Sequence, residues 1–338
     1  MKGEGKMFST YKQGYAKPAM VGGLVPLMVQ RAASAESKFL SLKIRYITSQ
    51  YLLVAFVLIL VTGCTTIQMK LYNASLVGDN DTVKALLAKD VDINAGGYLG
   101  ATPLMGASQN GHTDTVKVLL AEGADVDAQT DDDSWTALMY ATGHTDIVKL
   151  LLDAGADTEL KSIFGFTVLM QASQKGYVDT VKALLDAGAD VNATITESDA
   201  TAVGPMGIII VGKTALYFAS EPNHVEVAKE LIMAGADVNS RTYFDGGTPL
   251  IVAASNGSVQ LVKELIFGGA DVNAKNNFGK TALIYASQKG HVEVVKKLIA
   301  SGADVKAKTN KNETSLSFAK KYNHLTIVNL LKEAGADK

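Results

Sequence analysis

The sequence predicts an all-α solenoid of about eight helix-turn-helix copies joined by hairpin-like fingers. Three observations predict it. A threonine recurs at Thr102, Thr136, Thr167, Thr214, Thr248, Thr281 and Thr314, with successive spacings of 34, 31, 47, 34, 33 and 33 residues. A Gly-Ala-Asp tract recurs in step with it, beginning at Gly123, Gly155, Gly188, Gly235, Gly269, Gly302 and Gly335. Between the two lie apolar residues at helical spacing, so each copy presents an apolar face that it can bury only on its neighbours.

The stretch from Lys275 to Ala307 shows one copy whole. The Thr281 side-chain oxygen can cap a short helix, and Gly290 ends that helix because a residue without Cβ enters the left-handed conformation freely. In the second helix Val292, Val295, Leu298 and Ile299 share one face, Glu293, Lys296 and Lys297 point away, and Gly302 closes it. Pro103 and Pro249 stand at the first helical position, where a missing N–H leaves no bond unmade, and Ala137, Ala215 and Ala282 stand there in other copies. This composite resembles the ankyrin repeat, whose period is about 33 residues. The resemblance covers about four-fifths of the chain and implies an ankyrin-repeat domain over residues 71–338.

The copies depart from one another in ways the pattern can absorb. A degenerate first copy, Leu71 to Ala95, keeps Val83, Leu86, Leu87 and Asp92-Ile93-Asn94 without the threonine opening, as a terminal cap would. The third copy is two residues short between Leu138 and Gly143, so its first helix must end early. About 14 extra residues precede Thr214, an insertion at about 195–211 that falls in a finger and leaves the core unbroken. Asn223 and Asn323 replace glycine in the inter-helix turn, and asparagine tolerates the left-handed conformation. The last copy, Asn312 to Asp337, is altered by Lys320, Lys321 and Lys332, so the solenoid is expected to be complete at both ends. The histidine usual in the family's Thr-Pro-Leu-His opening is replaced by Met105, Met139, Met170, Tyr217, Ile251, Ile284 and Ser317, which removes a hydrogen bond and keeps the apolar packing.

Ahead of the repeats, Lys43 and Arg45 lead into an apolar run from Tyr51 to Val61 and then Thr62-Gly63-Cys64. The run is about 11 residues, within the roughly 7–15 of a secretory signal core and short of the roughly 20 that span a bilayer. Val61-Thr62-Gly63-Cys64 resembles the bacterial lipobox, which implies a signal peptide over 42–63, acylation of Cys64 and a linker over 64–70; an uncleaved membrane anchor is the alternative. Cys64 is the sole cysteine, so no internal disulfide can form. Thr65 stands where inner-membrane retention usually shows aspartate, so the resemblance implies an outer-membrane lipoprotein facing the periplasm. Residues 1–41 carry no assignable motif, and Leu42 stands where an initiator would.

Residues 1–63 carry eight Lys or Arg against two Glu, a net of +6, which leaves −8 for the remainder of a chain whose formal net charge is −2. An acidic repeat region argues against nucleic acid as the partner, because phosphate binding needs clustered cations. Gly207 to Thr214 satisfies G-x-x-x-x-G-K-[ST], the pattern of phosphate-binding loops. Its context is wrong for nucleotide binding, since no α/β sheet surrounds it and Gly212-Lys213-Thr214 is in register with Gly279-Lys280-Thr281. His112, His144, His224, His291 and His324 each fall in the turn between paired helices, a structural place, with no ligand spacing for a metal. No cofactor, catalytic set or small-molecule substrate is expected.

Functional information belongs to positions that vary while the frame repeats. Just before the capping threonines stand Tyr98 and Leu99, Trp135, Phe164 and Phe166, Tyr243 and Phe244, and Phe278. Aromatic side chains in a row of turns form a candidate protein-binding surface, unless they pack on adjacent fingers. The expected protein is therefore a non-catalytic interaction module tethered by lipid to a bacterial envelope, its partner held on the concave finger face. A neutraliser of an incoming toxin and an enzyme with an unrecognised site are the competing readings.

Overall fold

The computed structural model describes residues 67–196, 199 and 210–336. The signal segment, Cys64, residues 1–41 and most of the insertion lie outside the described residues. Among those described, sixteen α-helices form and no strand, with one isolated antiparallel bridge between Lys308 and Thr314.

The helices come in pairs, a first and a second helix per copy. They are α1 (Ile67–Val77) with α2 (Asn80–Leu87), α3 (Pro103–Gln109) with α4 (Thr113–Ala121), and α5 (Ala137–Tyr140) with α6 (Thr145–Asp153). Next come α7 (Val168–Lys175) with α8 (Val178–Asp186), α9 (Ala215–Ser220) with α10 (Val225–Met233), and α11 (Pro249–Asn256) with α12 (Val259–Phe267). The last are α13 (Ala282–Lys289) with α14 (Val292–Ala300) and α15 (Ser315–Lys321) with α16 (Leu325–Glu333). Helix α1 begins at Ile67, ahead of Leu71 and inside the stretch expected to be linker, because Leu71 and Ala74 already bury themselves on the next copy.

The capping threonines do what their chemistry predicts. Each accepts a hydrogen bond from the backbone N–H three residues on, as with Thr281 Oγ1 and Ile284 N at 3.3 Å and Thr314 Oγ1 and Ser317 N at 3.2 Å. That satisfies one donor which the helix itself leaves unpaired. Gly176, Gly257 and Gly290 end their helices at positive φ, and Asn223 and Asn323 take the same conformation at φ 67 and 62°. The short copy confines its loss to α5, a single turn of four residues.

Stacking is set by small residues on the first helices and branched ones on the second. Ala107, Ala141, Ala172, Ala219, Ala253, Ala286 and Ala319 form a fully buried column that lets first helices approach closely. On α14 the buried stripe is Val294, Val295 and Leu298, flanked by the half-buried Val292 and Ile299. The four residues expected on one face, Val292, Val295, Leu298 and Ile299, all pack on the core, and Val294, not among those four, is buried with them. The methionines, tyrosine and isoleucines that replace the usual histidine are buried from Met105 to Ile284, whereas Ser317 is exposed.

Truncating Leu298 leaves a cavity where every neighbour is already packed. Leu298→Ala is expected to cost about 2–5 kcal/mol, and the copies after Ser301 should melt before the rest because stability is summed over nearest neighbours. Hydrogen exchange resolved along the chain checks both the size and the order.

Candidate functional site

Each finger is a turn closed by its own backbone and tied to the next. Thr242 N–H donates to Gly247 C=O at 3.0 Å, and Asn276 N–H to Lys280 C=O at 2.9 Å. Between fingers, Asn277 N–H donates to Asp245 C=O at 2.8 Å and Asn310 N–H to Phe278 C=O at 3.1 Å. The finger tips are therefore fixed relative to one another through several copies.

The predicted aromatic row divides in two. Tyr98, Leu99, Tyr243, Phe244 and Phe278 are exposed, Tyr243 by 66% and Phe244 by 64%. Leu99 holds a left-handed backbone, at φ 55°, and lends its carbonyl to Asp131 N–H at 3.0 Å. Trp135, Phe164 and Phe166 are half-buried. The Trp135 ring lies 5.1 Å from that of Tyr140, and Phe166 lies 4.8 Å from Phe218 inside the core. These two are held between the finger and a helix, so their rings contribute to stability.

Beside the Tyr243–Phe244 finger, α9, α11 and α13 enclose a groove of about 310 Å³. Tyr217, Glu221, Asp245, Ile251, Asn256 and Tyr285 are among its lining residues. Burial pushes the Tyr217 phenol well above its ordinary range, with the Asp245 and Glu221 charges adding to the effect, and burial raises Tyr285 as well. Sequence reasoning missed this groove because no one copy contains it; the signal present was Tyr217, at a first-helix position where the other threonine-capped copies carry Met, Ile or Ser, while the Tyr285 position is aromatic in other copies too, as Tyr140, Phe218 and Phe318.

The Lys213 of the phosphate-loop pattern is turned inward. Its ammonium pairs with Glu221 Oε1 at 2.8 Å and lies over the rings of Tyr217 and Phe218, at 4.8 and 5.4 Å from their centroids. Lys280, the matching residue of a later copy, sits likewise over Tyr285 and Phe318 and donates to Gln288 at 3.0 Å. Both lysines thus occupy one structural position of the repeat. The insertion is rooted in the core, with Ile195 and Ile210 buried and Gly212 N–H donating to Ile195 C=O at 2.8 Å. The histidines span copies: Nε2 of His112, His224 and His291 meets the carbonyls of Leu76, Gln174 and Ser255 at 3.0, 3.1 and 2.9 Å. Among the described residues no three His, Cys, Asp or Glu side chains converge to hold a metal, and no helix is long and apolar enough to cross a membrane.

Comparison with known proteins agrees with this architecture. The family described as ankyrin repeats (3 copies) matches residues 71–162, 142–195, 157–242 and 250–338. The chain is a member of the ankyrin-repeat family. Among solved structures it is similar to the human ASB11 ankyrin repeat domain, with 25% identity and a TM-score of 0.58 over 69% of this chain and 98% of that one. It is similar also to the ankyrin repeat domain of Bcl-3, described as a unique member of the IkappaB protein family, with 29% identity, a TM-score of 0.58 and coverage of 68% and 98%. No curated protein matches the sequence. Repeats of this kind make the chain a protein-protein interaction module.

The division of the aromatic row is measurable. Trp135→Ala and Phe166→Ala should each lower unfolding free energy by about 1–3 kcal/mol, below the loss for a fully buried ring. Tyr243→Ala should stay within about 0.5 kcal/mol of the parent, and chemical denaturation of the three variants separates the two groups.

Proposed function

We propose that the protein is a non-catalytic binding module, held to a bacterial cell envelope by lipid on Cys64, that takes a protein partner on the face made by fingers and first helices. The observation that carries the binding face is the set Tyr243, Phe244 and Phe278, three exposed rings on two fingers tied together by the Asn277–Asp245 backbone bond. Fingers whose backbones are already tied lose less entropy when a partner covers them, and aromatic residues dominate interface energy. A third finger adds Tyr98 and Leu99 to the same row, with Trp135, Phe164 and Phe166 offering their exposed edges between.

Support for the tether is in the sequence alone: a basic lead, an apolar core of signal length, and the sole cysteine at the end of Val61-Thr62-Gly63-Cys64. With a periplasm-facing outer-membrane anchor, the solenoid would meet envelope proteins rather than nucleic acid, in keeping with its acidic balance.

Crosslinking in intact cells followed by purification identifies the partner. The combined variant Tyr243→Ala, Phe244→Ala, Phe278→Ala should then reduce its capture about tenfold or more with helical circular dichroism unchanged, while Lys296→Ala on the second-helix side changes neither. Normal capture by the triple variant removes the assignment to the fingers. For the anchor, Cys64→Ala should abolish fatty-acid labelling and release the chain from membranes in high salt, where several acyl chains would have kept it. Undiminished labelling sinks the lipoprotein reading.

A further inference from the structure

We infer that the second-helix side of the solenoid pairs with a second copy of this chain, each Phe267 seating in a groove on the other. The contact uses second helices only, so it stands apart from the finger face and does not depend on it.

The starting point is an exposed ring. Phe267, the last residue of α12, is 90% exposed, the most of any large apolar side chain among the described residues, and Met233 holds the same position on α10 at 73%. The corresponding residues of other copies are Ala88, Ala121, Asp153, Asp186, Ala300 and Glu333, so stacking does not call for apolar bulk there. No other second helix carries an aromatic residue. Gly268, next in the chain, lets the end of α12 press on α10, since a Cβ there would stand 2.8 Å from the Ile232 side chain. A phenylalanine and a methionine on neighbouring helices thus leave apolar area in water, which association removes.

The same surface holds a place for the ring. Between α12 and α14 runs an open groove of about 390 Å³, lined by Gln260, Lys263, Glu264, Phe267 and Lys297. Gln260 Nε2 holds Glu264 Oε1 at 2.5 Å, and neither Lys263 nor Lys297 makes an ion pair among the described residues. Ammonium groups on aliphatic stems offer an aromatic ring both a cation for its face and apolar contact for its edge. A knob and a groove side by side make one patch self-complementary, which is the condition for a closed two-fold pair.

Charge selects this chain as the occupant and fixes the direction of the pair. Residues 71–160 carry 4 Lys against 15 Asp or Glu, a net of −11, whereas residues 271–338 carry 12 Lys against 6, a net of +6. A two-fold axis through α12 runs the two solenoids antiparallel and brings α10 of each opposite α14 of the other. Together α8 and α10 carry Asp179, Asp186, Glu226 and Glu230 against Lys182 and Lys229. Together α14 and α16 carry Lys296, Lys297 and Lys332 against Glu293 and Glu333. The ion pairs Lys182–Glu230, Lys229–Glu226 and Lys296–Glu293 all lie within these two groups, so the opposite balances stand. Met233 then meets the exposed Ala300, a large side chain against a small one. A parallel pair would set like charge against like along its whole length.

The test uses the purified full chain in detergent. Two differently tagged forms, Phe267→Cys and Lys297→Cys, are mixed and oxidised, and the parent chain, whose one cysteine is Cys64, sets the background. A disulfide-linked pair carrying both tags is expected. Asp153→Cys in place of Lys297→Cys, at the matching helix position three copies from α12, should give background only. Analytical ultracentrifugation of the parent should show a dimer whose dissociation constant rises in high salt, and rises about tenfold or more in Phe267→Asp. Met233→Asp should act in the same direction, so a folding defect in one variant leaves the other decisive. A monomeric parent, a two-tag disulfide no stronger than that with Asp153→Cys, or an unchanged dimer in both aspartate variants overturns the pairing. A monomeric parent whose Cys64→Ala form binds phosphatidylglycerol vesicles only while Phe267 is intact overturns it too, and gives the ring to a lipid surface.

Discussion

Each copy of this solenoid leaves backbone groups at its turns that only a neighbouring copy can satisfy, and that dependence holds the chain in register. After the second helices, Asp237, Asp271 and Asp304 each donate a backbone N–H to the side-chain oxygen of an asparagine one copy back, Asn192, Asn239 and Asn273, at 2.7 Å. The amides of those asparagines donate in turn to the carbonyls of Gly235, Gly269 and Gly302, each at 3.2 Å. Histidines make a second ladder at the inter-helix turns, and finger backbones make a third. A single copy would leave all three sets to water and its apolar stripe exposed, so none is stable alone.

Three ladders in phase explain which changes of length the fold accepts. The short copy removes residues from the end of α5, yet His144 still reaches the Gln109 carbonyl at 3.3 Å and Asp157 N–H still reaches Asp127 Oδ1 at 2.8 Å. Across the insertion, His224 still meets Gln174 at 3.1 Å and Asp237 still meets Asn192 at 2.7 Å. Both length changes fall between ladder rungs. A similar change within a second helix would pull two rungs out of register at once.

The frame and the candidate binding face are thus carried by different positions. Alanine columns, capping threonines and ladder asparagines repeat because every copy meets the same neighbour geometry. Tyr217 and Glu221 have no counterpart in the other threonine-capped copies, and nothing in the stacking geometry requires them. Lys213 bridges the two roles: its ring-stacked place is shared with Lys280, while its pairing with Glu221 shapes the charge of the groove.

The sequence by itself determined the architecture, because a capping threonine, a left-handed glycine or asparagine and a helical apolar stripe are local requirements, and a repeat states them several times over. It also located the finger row, since those positions are the ones a periodic frame leaves free. It named four residues that α14 packs on the core and left out Val294, which packing against the neighbouring copies buries fully. Only the tertiary structure decided which aromatics face solvent: Trp135 and Phe166 are drawn in beside Tyr140 and Phe218, whereas Tyr243 and Phe244 stay largely exposed. The groove was beyond the reach of any one repeat, because Tyr217, Asp245, Ile251 and Tyr285 come from three copies whose side chains meet only once the helices are stacked.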